Sequence, residues 1–149
     1  LPILTKYGAY TNIDDAFFAT QNRETQCFAM IETAPALRDC EAIAALAAVD
    51  GLFVGPSDLS VARGRGSFKF SRGDIEDFTA VASAAKTAGK VFGLPAPGAK
   101  AFALAVELGA SFATVCDDIT ALRVGLEKGL ETARSYEARS GESQSPPDI

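Results

Sequence analysis

The 149-residue sequence contains no histidine, and this absence removes several kinds of chemistry. Neither a Ser-His-Asp nor a Cys-His catalytic arrangement can form within the chain. A zinc site that depends on histidine is also excluded, and Cys27, Cys40 and Cys116 lack the spacing of zinc ligands. Any metal held by this chain must therefore have oxygen ligands, which favours Mg²⁺ or Mn²⁺ over zinc or copper.

Long apolar runs and basic clusters are also missing. No apolar run approaches the roughly 18 residues that span a membrane, and no signal peptide is visible. The net charge is −5, which argues against a nucleic-acid partner. The three cysteines lie far apart in apolar runs, so we expect buried free thiols and a reducing, cytoplasmic compartment.

Short apolar runs alternate with longer segments of helical periodicity. Four of these runs predict strands, at residues 26–31, 52–54, 91–94 and 111–116, and each is followed by a predicted helix. Short continuous apolar runs separated by helices are typical of buried parallel strands. The order is a helix followed by four βα units. It predicts an α/β protein that is either a small open sheet or half of a (β/α)₈ barrel, since a full barrel takes about 250 residues.

Cap and turn residues mark the predicted helix ends. Asn12 is a good N-cap for the first helix, and Thr33 caps the next, with Pro35 in its first turn. Gly89 is expected to end the helix that starts at Ser71 or Asp74. Asp117 and Asp118 end the last strand and are expected to cap the last helix, while Gly64-Arg65-Gly66 indicates a flexible surface loop.

Two carboxylates stand at the ends of neighbouring predicted strands. Glu32 directly follows the first strand, and Asp58 lies just past the second, after the Gly55-Pro56 turn. In α/β folds the chemistry lies at the carboxyl ends of such strands, so both would face one pocket. They would repel each other unless a cation lay between them, which makes the pair a candidate metal site. The free amides of Ser57 and Asp58 would bind the carboxylate of a ligand at the helix start.

Ordinary structural roles remain open for both carboxylates. Asp58 or Ser57 could simply cap the short helix that follows Pro56, and taken alone this interpretation is slightly favoured. Glu32 could be the acidic residue of a helix N-terminus, where the helix dipole favours it. The pair is a better site candidate than either residue alone.

The last helix carries two stripes and precedes a polar tail. Leu122, Leu126 and Leu130 form one stripe; beside it run small residues at every fourth position, namely Ala121, Gly125, Gly129 and Ala133. Such a face lets another helix approach closely, within the chain or from another chain. Residues 138–149 are expected to be a disordered tail.

Residues 30–33, Met-Ile-Glu-Thr, and the stretch Gly55-Pro56-Ser57-Asp58-Leu59-Ser60 resemble the HpcH/HpaI aldolase family, which includes citrate lyase β-subunit-like proteins. The resemblance covers about residues 6–134. It implies the C-terminal half of a phosphoenolpyruvate/pyruvate-type TIM barrel over residues 1–137, with four βα units. It also implies a metal-dependent (class II) aldolase, a lyase that cleaves a hydroxylated 2-oxo acid into pyruvate and an aldehyde through a metal-stabilised enolate.

The resemblance also implies residue roles. Glu32 and Asp58 match the family's ligands for Mg²⁺ or Mn²⁺, and the amides of Ser57 and Asp58 match those that hold the 2-oxo acid. The last helix is expected to join subunits into a homo-oligomer. Many relatives have Gln where this chain has Met30, and the family's catalytic histidine and substrate-binding arginine lie in the N-terminal half. No catalytic residue is therefore expected within this chain, and the alternative is a non-catalytic remnant that keeps metal and oxo-acid binding.

Overall fold

The computed structural model describes residues 15–142, with side chains described as far as residue 136. Each strand in this part of the chain is followed by one or two helices. In order they are α1 (Asp15–Glu24), β1 (Phe28–Ile31), α2 (Ala34–Arg38), α3 (Cys40–Ala44), β2 (Gly51–Val54), α4 (Pro56–Ala62), α5 (Arg72–Thr87), β3 (Val91–Pro95), α6 (Ala99–Glu107), β4 (Phe112–Thr114) and α7 (Asp118–Glu142). All four predicted strands are present with slightly different bounds. The expected cap Asn12 lies outside the described residues.

The strands form one parallel sheet in the order β1-β2-β3-β4. In the first pair Phe28 lies opposite Gly51 and Ile31 opposite Val54; in the last pair Gly93 lies opposite Phe112. The sheet confirms the α/β prediction with four parallel strands. Because parallel strands run in one direction, residues that directly follow paired strands lie at the same edge of the sheet.

Contacts divide the chain into two compact units, one up to Phe92 and one from Gly93. In the first unit, α5 packs against α3 and β2. The buried face of α5 includes Phe78, Val81 and Ala85, spaced as an amphipathic helix requires. Phe78 is 2 % exposed, and full burial of such a side chain contributes roughly 1.5–3 kcal/mol. The Ser71 cap of α5 is confirmed, because its side chain accepts a hydrogen bond from the Asp74 amide.

The second unit contains most of β3 together with α6, β4 and α7. Ala101, Leu104 and Ala105 form the buried face of α6. Gly93 lies under the ring of Phe112, which leaves no room for a side chain at that position. The last helix continues to Glu142, so the predicted boundary after residue 137 falls within it. Among the described residues, no helix is long and apolar enough to cross a membrane.

The helix predicted after Thr33 is divided in two. Thr33 caps α2 as expected, with its hydroxyl oxygen accepting from the Ala36 amide at 3.2 Å, and Pro35 lies in the first turn. However, α2 ends at Arg38 and α3 begins at Cys40. Asp39 has φ −99° and ψ 11°, which departs from the α-helical region, and its side chain caps neither helix. Apolar periodicity alone did not reveal this break, since Leu37, Cys40 and Ile43 keep helical spacing across it.

The prediction of three buried thiols is wrong for two of them. Only Cys40 is buried, and burial raises the pKa of its thiol. Cys27 and Cys116 are exposed, and all three cysteines are free. Cys27 precedes the first strand of the sheet and Cys116 follows the last, and among residues 15–142 no further strand pairs with either outer strand. Apolar neighbours along the chain therefore do not bury these two side chains.

The loop around Arg65 is anchored, which corrects the expected flexible surface loop. The Arg65 guanidinium donates to Asp74 at 2.9 Å and to Asp77 at 2.5 Å, and Arg63 lies 3.3 Å from Asp77. Asp74 and Asp77 are buried on α5. Burial by itself raises the pKa of Asp74, but hydrogen bonds from Ser71 and Arg65 outweigh it and hold the pKa below its ordinary value. This cluster ties the segment that follows α4 to the core.

Replacing Arg65 is expected to destabilise the fold strongly. Arg65→Ala leaves two buried carboxylates without their main cation, and loss of one partner of a buried pair costs about 3 kcal/mol. Urea denaturation of the intact protein measures the change in the free energy of unfolding.

The matched control is Arg72→Ala. Arg72 pairs with Glu76 on the exposed surface of α5, and exposed pairs contribute at most about 1 kcal/mol. Equal losses in the two variants would show that the Arg65 cluster does not anchor the loop.

Candidate functional site

The carboxyl ends of β1 and β2 bring Glu32 and Gly55 together. Ile31 and Val54 are paired in register, so Glu32 and Gly55 are the residues that directly follow the two paired strands. The pairing extends by one more hydrogen bond, from the Gly55 amide to the Ile31 carbonyl at 3.1 Å. Glu32 thus lies at the predicted position, beside the turn that leads into α4.

The side chain of Glu32 lies directly over Gly55. A methyl group added to Gly55 would lie 2.8 Å from Glu32 Cβ, 3.0 Å from Glu32 Oε2 and 3.4 Å from the sulfur of Met30. The carboxylate therefore reaches across the end of β2. It makes no hydrogen bond or ion pair with the residues that the structure describes, and it is only partly exposed.

Asp58 lies in the first turn of α4 but does not cap it. The cap is Gly55, no side chain bonds to the free amides there, and Pro56 is the first helical residue. The interpretation of Ser57 or Asp58 as a cap is therefore wrong. Leu59 and Ser60 are buried, whereas Ser57 and Asp58 are exposed, so the helix presents these two outward.

Glu32 is likewise outside a helix. It precedes Thr33, the cap residue of α2, so it is not the acidic residue of a helical first turn. Neither structural role considered for the two carboxylates is therefore observed. Both side chains are available to a ligand, and one helical turn separates Asp58 from the glycine under Glu32.

The donors at this edge suit a hard divalent cation. Carboxylate oxygens are the ligands that Mg²⁺ prefers, and this ion commonly binds through one or two carboxylates while keeping several waters. Among residues 15–142, no three or more acidic or thiol side chains are grouped to hold a metal. A cation held by Glu32 and Asp58 would therefore find no third acidic or thiol ligand grouped with them in this part of the chain.

A separate cavity of about 220 Å³ lies within the second unit, where β3 and β4 end. Pro95, Pro97, Thr114, Cys116 and Asp117 line it. Asp117 caps α7, as predicted: its carboxylate accepts from the Thr120 amide at 2.7 Å and hydroxyl at 2.8 Å, and these bonds lower its pKa. Sequence reasoning missed this cavity, because its lining comes from the ends of two strands that come together only when they pair.

The fold defines a class: a parallel α/β protein of repeated βα units, here with one carboxylate directly after β1 and another in the first turn of the helix that follows β2. The sequence model of the HpcH/HpaI aldolase/citrate lyase family matches residues 5–122. The chain therefore belongs to the HpcH/HpaI aldolase/citrate lyase family.

Curated relatives agree with the family. The chain is 34 % identical over 117 residues to 5-keto-4-deoxy-D-glucarate aldolases from Salmonella arizonae and Salmonella newport. The match covers 78 % of this chain and 45 % of either relative. The chain thus spans about half the length of the curated relatives it matches.

Solved structures agree with the fold. The crystal structure of an HpcH/HpaI aldolase from Desulfitobacterium hafniense superposes with a TM-score of 0.70 and 29 % identity, covering 90 % of this chain and 51 % of that one. A family member from Burkholderia cenocepacia gives a TM-score of 0.71 and 28 % identity, with coverage of 80 % and 47 %. The four βα units therefore correspond to about half of a TIM barrel.

Proposed function

We propose that the intact protein is a divalent-metal-dependent aldolase that cleaves a hydroxylated 2-oxo acid to pyruvate and an aldehyde. The observation that carries this proposal is the position of the Glu32 carboxylate over Gly55, one helical turn before the exposed Asp58. Both carboxylates lack partners in the described residues, as ligands of a cation would. The names of the Salmonella relatives support a sugar-derived acid as the substrate.

Each residue at this edge has a proposed role. Glu32 and Asp58 hold Mg²⁺ or Mn²⁺, which supplies the Lewis acidity that favours an enolate when bound. The amides of Ser57 and Asp58 bind the carboxylate of the 2-oxo acid, since first-turn amides have no partner within the helix. The chain has no histidine, so a histidine that transfers a proton in the reaction would have to come from outside it.

A second candidate function is binding without turnover. The complete absence of histidine favours it for this chain taken alone. A protein of this kind would keep the metal and the oxo acid but would lack the proton-transfer groups. The same experiments separate the two candidates, because only the aldolase releases product.

The metal assignment predicts a specific loss of Mn²⁺ affinity. Glu32→Gln and Asp58→Asn should each weaken Mn²⁺ binding by about tenfold or more. Changing a residue that only orients a ligand already lowers metal affinity about tenfold, and loss of a ligand should cost at least as much. Titration of the intact protein with Mn²⁺, followed by electron paramagnetic resonance, measures the affinity.

Glu41→Gln is the control, since Glu41 is an exposed carboxylate on α3. It should bind Mn²⁺ like the unaltered protein. Unchanged affinity in both test variants would remove Glu32 and Asp58 from the metal site.

The aldolase proposal predicts pyruvate as a product. Incubation of the intact protein and Mn²⁺ with a panel of hydroxylated 2-oxo acids, including 5-keto-4-deoxy-D-glucarate, should release pyruvate, measured by coupled reduction to lactate. Glu32→Gln should lower kcat/KM on the order of 100-fold, because the Lewis acid contributes several kcal/mol.

If the protein binds Mn²⁺ but releases pyruvate from no member of the panel, the binding protein is favoured.

The position of the oxo acid is tested by a separate experiment. Crystals soaked with oxalate and Mn²⁺ should show the anion on the amides of Ser57 and Asp58, and an anion at another strand end would contradict that role.

We also propose that the intact protein is a homo-oligomer that associates through α7. Apart from the half-exposed Thr120, every described side chain of this helix is exposed, and the apolar ones include Ile119, Leu122, Leu126 and Leu130. The space around Gly125 and Gly129 is open, so a helix of a second copy can approach closely. An apolar face of this kind is unfavourable in water unless it is covered.

Filling that face is expected to dissociate the oligomer. Gly125→Leu with Gly129→Leu places bulk where the partner helix would approach, while leucine favours the helix itself by about 1 kcal/mol per site over glycine. Sedimentation of the intact protein should show smaller particles for this double variant.

The control is Glu131→Leu with Ser135→Leu, which has the same spacing on the opposite face of α7. It should sediment like the unaltered protein. A monomeric unaltered protein would contradict the proposed oligomer, and an intact oligomer in the glycine variant would place the interface elsewhere.

A further inference from the structure

Gly55 has no conformational reason to be glycine. Its φ is −96° and its ψ is 88°, and residues with side chains adopt negative φ values without the penalty of the left-handed region. The constraint is steric instead. A methyl group at this position would lie 2.8 Å from Glu32 Cβ, closer than side-chain carbon atoms approach each other, and 3.0 Å from Glu32 Oε2.

The neighbours of Gly55 differ from those of the other crowded glycines. Gly51 is crowded by Val91 and the ring of Phe28, and Gly93 by the ring of Phe112, so there the missing side chain makes room for packed apolar groups. Gly55 makes room for a carboxylate that is partly exposed and for Met30, which is 52 % exposed. Tight packing of the interior does not account for a glycine at this position.

We propose that Gly55 is a positioning residue: the absence of its side chain lets Glu32 lie across the end of β2, so that its carboxylate is directed toward the turn carrying Asp58. This inference rests on the proposed metal site. It assigns Gly55 no contact with metal or substrate, since it acts only through Glu32. The Gly55 amide bond to Ile31 holds the two strand ends at the separation that makes the contact close.

Adding one methyl group tests the idea. Gly55→Ala must displace Glu32, because the two Cβ atoms cannot remain 2.8 Å apart. Because the backbone fixes the position of Glu32 Cβ, the end of β1 must shift at this residue, and the carboxylate, which has no partner in the described residues, moves with it. We expect Mn²⁺ affinity, measured by electron paramagnetic resonance on the intact protein, to fall about tenfold, as it does when residues that orient a ligand are changed.

Gly73→Ala is the matched control in the same unit. A methyl group there would lie 3.4 Å from the nearest atom, a guanidinium nitrogen of Arg65, which is an ordinary van der Waals distance, so no displacement is required. This variant should bind Mn²⁺ like the unaltered protein. Urea denaturation checks that both variants are folded, as the Mn²⁺ titration requires.

A second variant tests the same inference without altering Gly55. Glu32→Asp keeps the charge but withdraws the carboxylate by one methylene, so it no longer reaches across the glycine. Mn²⁺ affinity should fall about tenfold here as well. This result remains informative if Gly55→Ala does not fold.

The outcomes separate this inference from the proposed function. Unchanged Mn²⁺ affinity in Glu32→Gln would overturn the metal site and the positioning role together. A loss in Glu32→Gln with unchanged affinity in Gly55→Ala or in Glu32→Asp would overturn the positioning role alone. Losses in all three variants, with Gly73→Ala unchanged, would support it.

Discussion

The candidate site depends on the parallel pairing of β1 with β2 and on its register. Ile31 lies opposite Val54, and the Gly55 amide continues the ladder by bonding to the Ile31 carbonyl at 3.1 Å. In this register Glu32 meets the one residue of the β2–α4 turn that has no side chain. A shift by one residue would turn Glu32 to the other face of the sheet, because successive strand side chains alternate. The carboxylate would then lie against the core.

The helix that carries Asp58 is held at both ends by different forces. At its start, Gly55 and Pro56 turn the chain out of the sheet, while Leu59 and Ser60 bury the inner face of α4. Beyond its end, Arg65 is anchored on Asp74 and Asp77 of α5. A short helix has little stability of its own, since nucleation is costly. Burial and the ion cluster together therefore hold α4 in position, with Ser57 and Asp58 on its exposed side.

The second unit exposes apolar side chains along its last helix. Its α6 buries one face, but α7 is exposed along its described length and carries leucines beside open glycines. Relatives about twice as long contain further chain, and the family fold is a closed barrel. A partial barrel leaves apolar surface and strand edges that a complete assembly would cover. The exposed helix and the strand-end site are therefore best understood in the intact protein.

The sequence alone determined the order of elements, the parallel α/β class and the two candidate carboxylates. These features are local: short apolar runs, cap residues such as Thr33 and Ser71, and the Gly-Pro turn each act within a few residues. Tertiary structure decided the rest. Asp39 divides a segment that apolar periodicity predicts as one helix. Cys27 and Cys116 are exposed at the ends of outer strands. Arg65 is anchored on buried carboxylates nine and twelve residues away. Sequence could name Glu32 and Asp58, but it could not show that Glu32 lies on Gly55. That contact joins the residues that directly follow two different strands, so it exists only once the strands are paired in register.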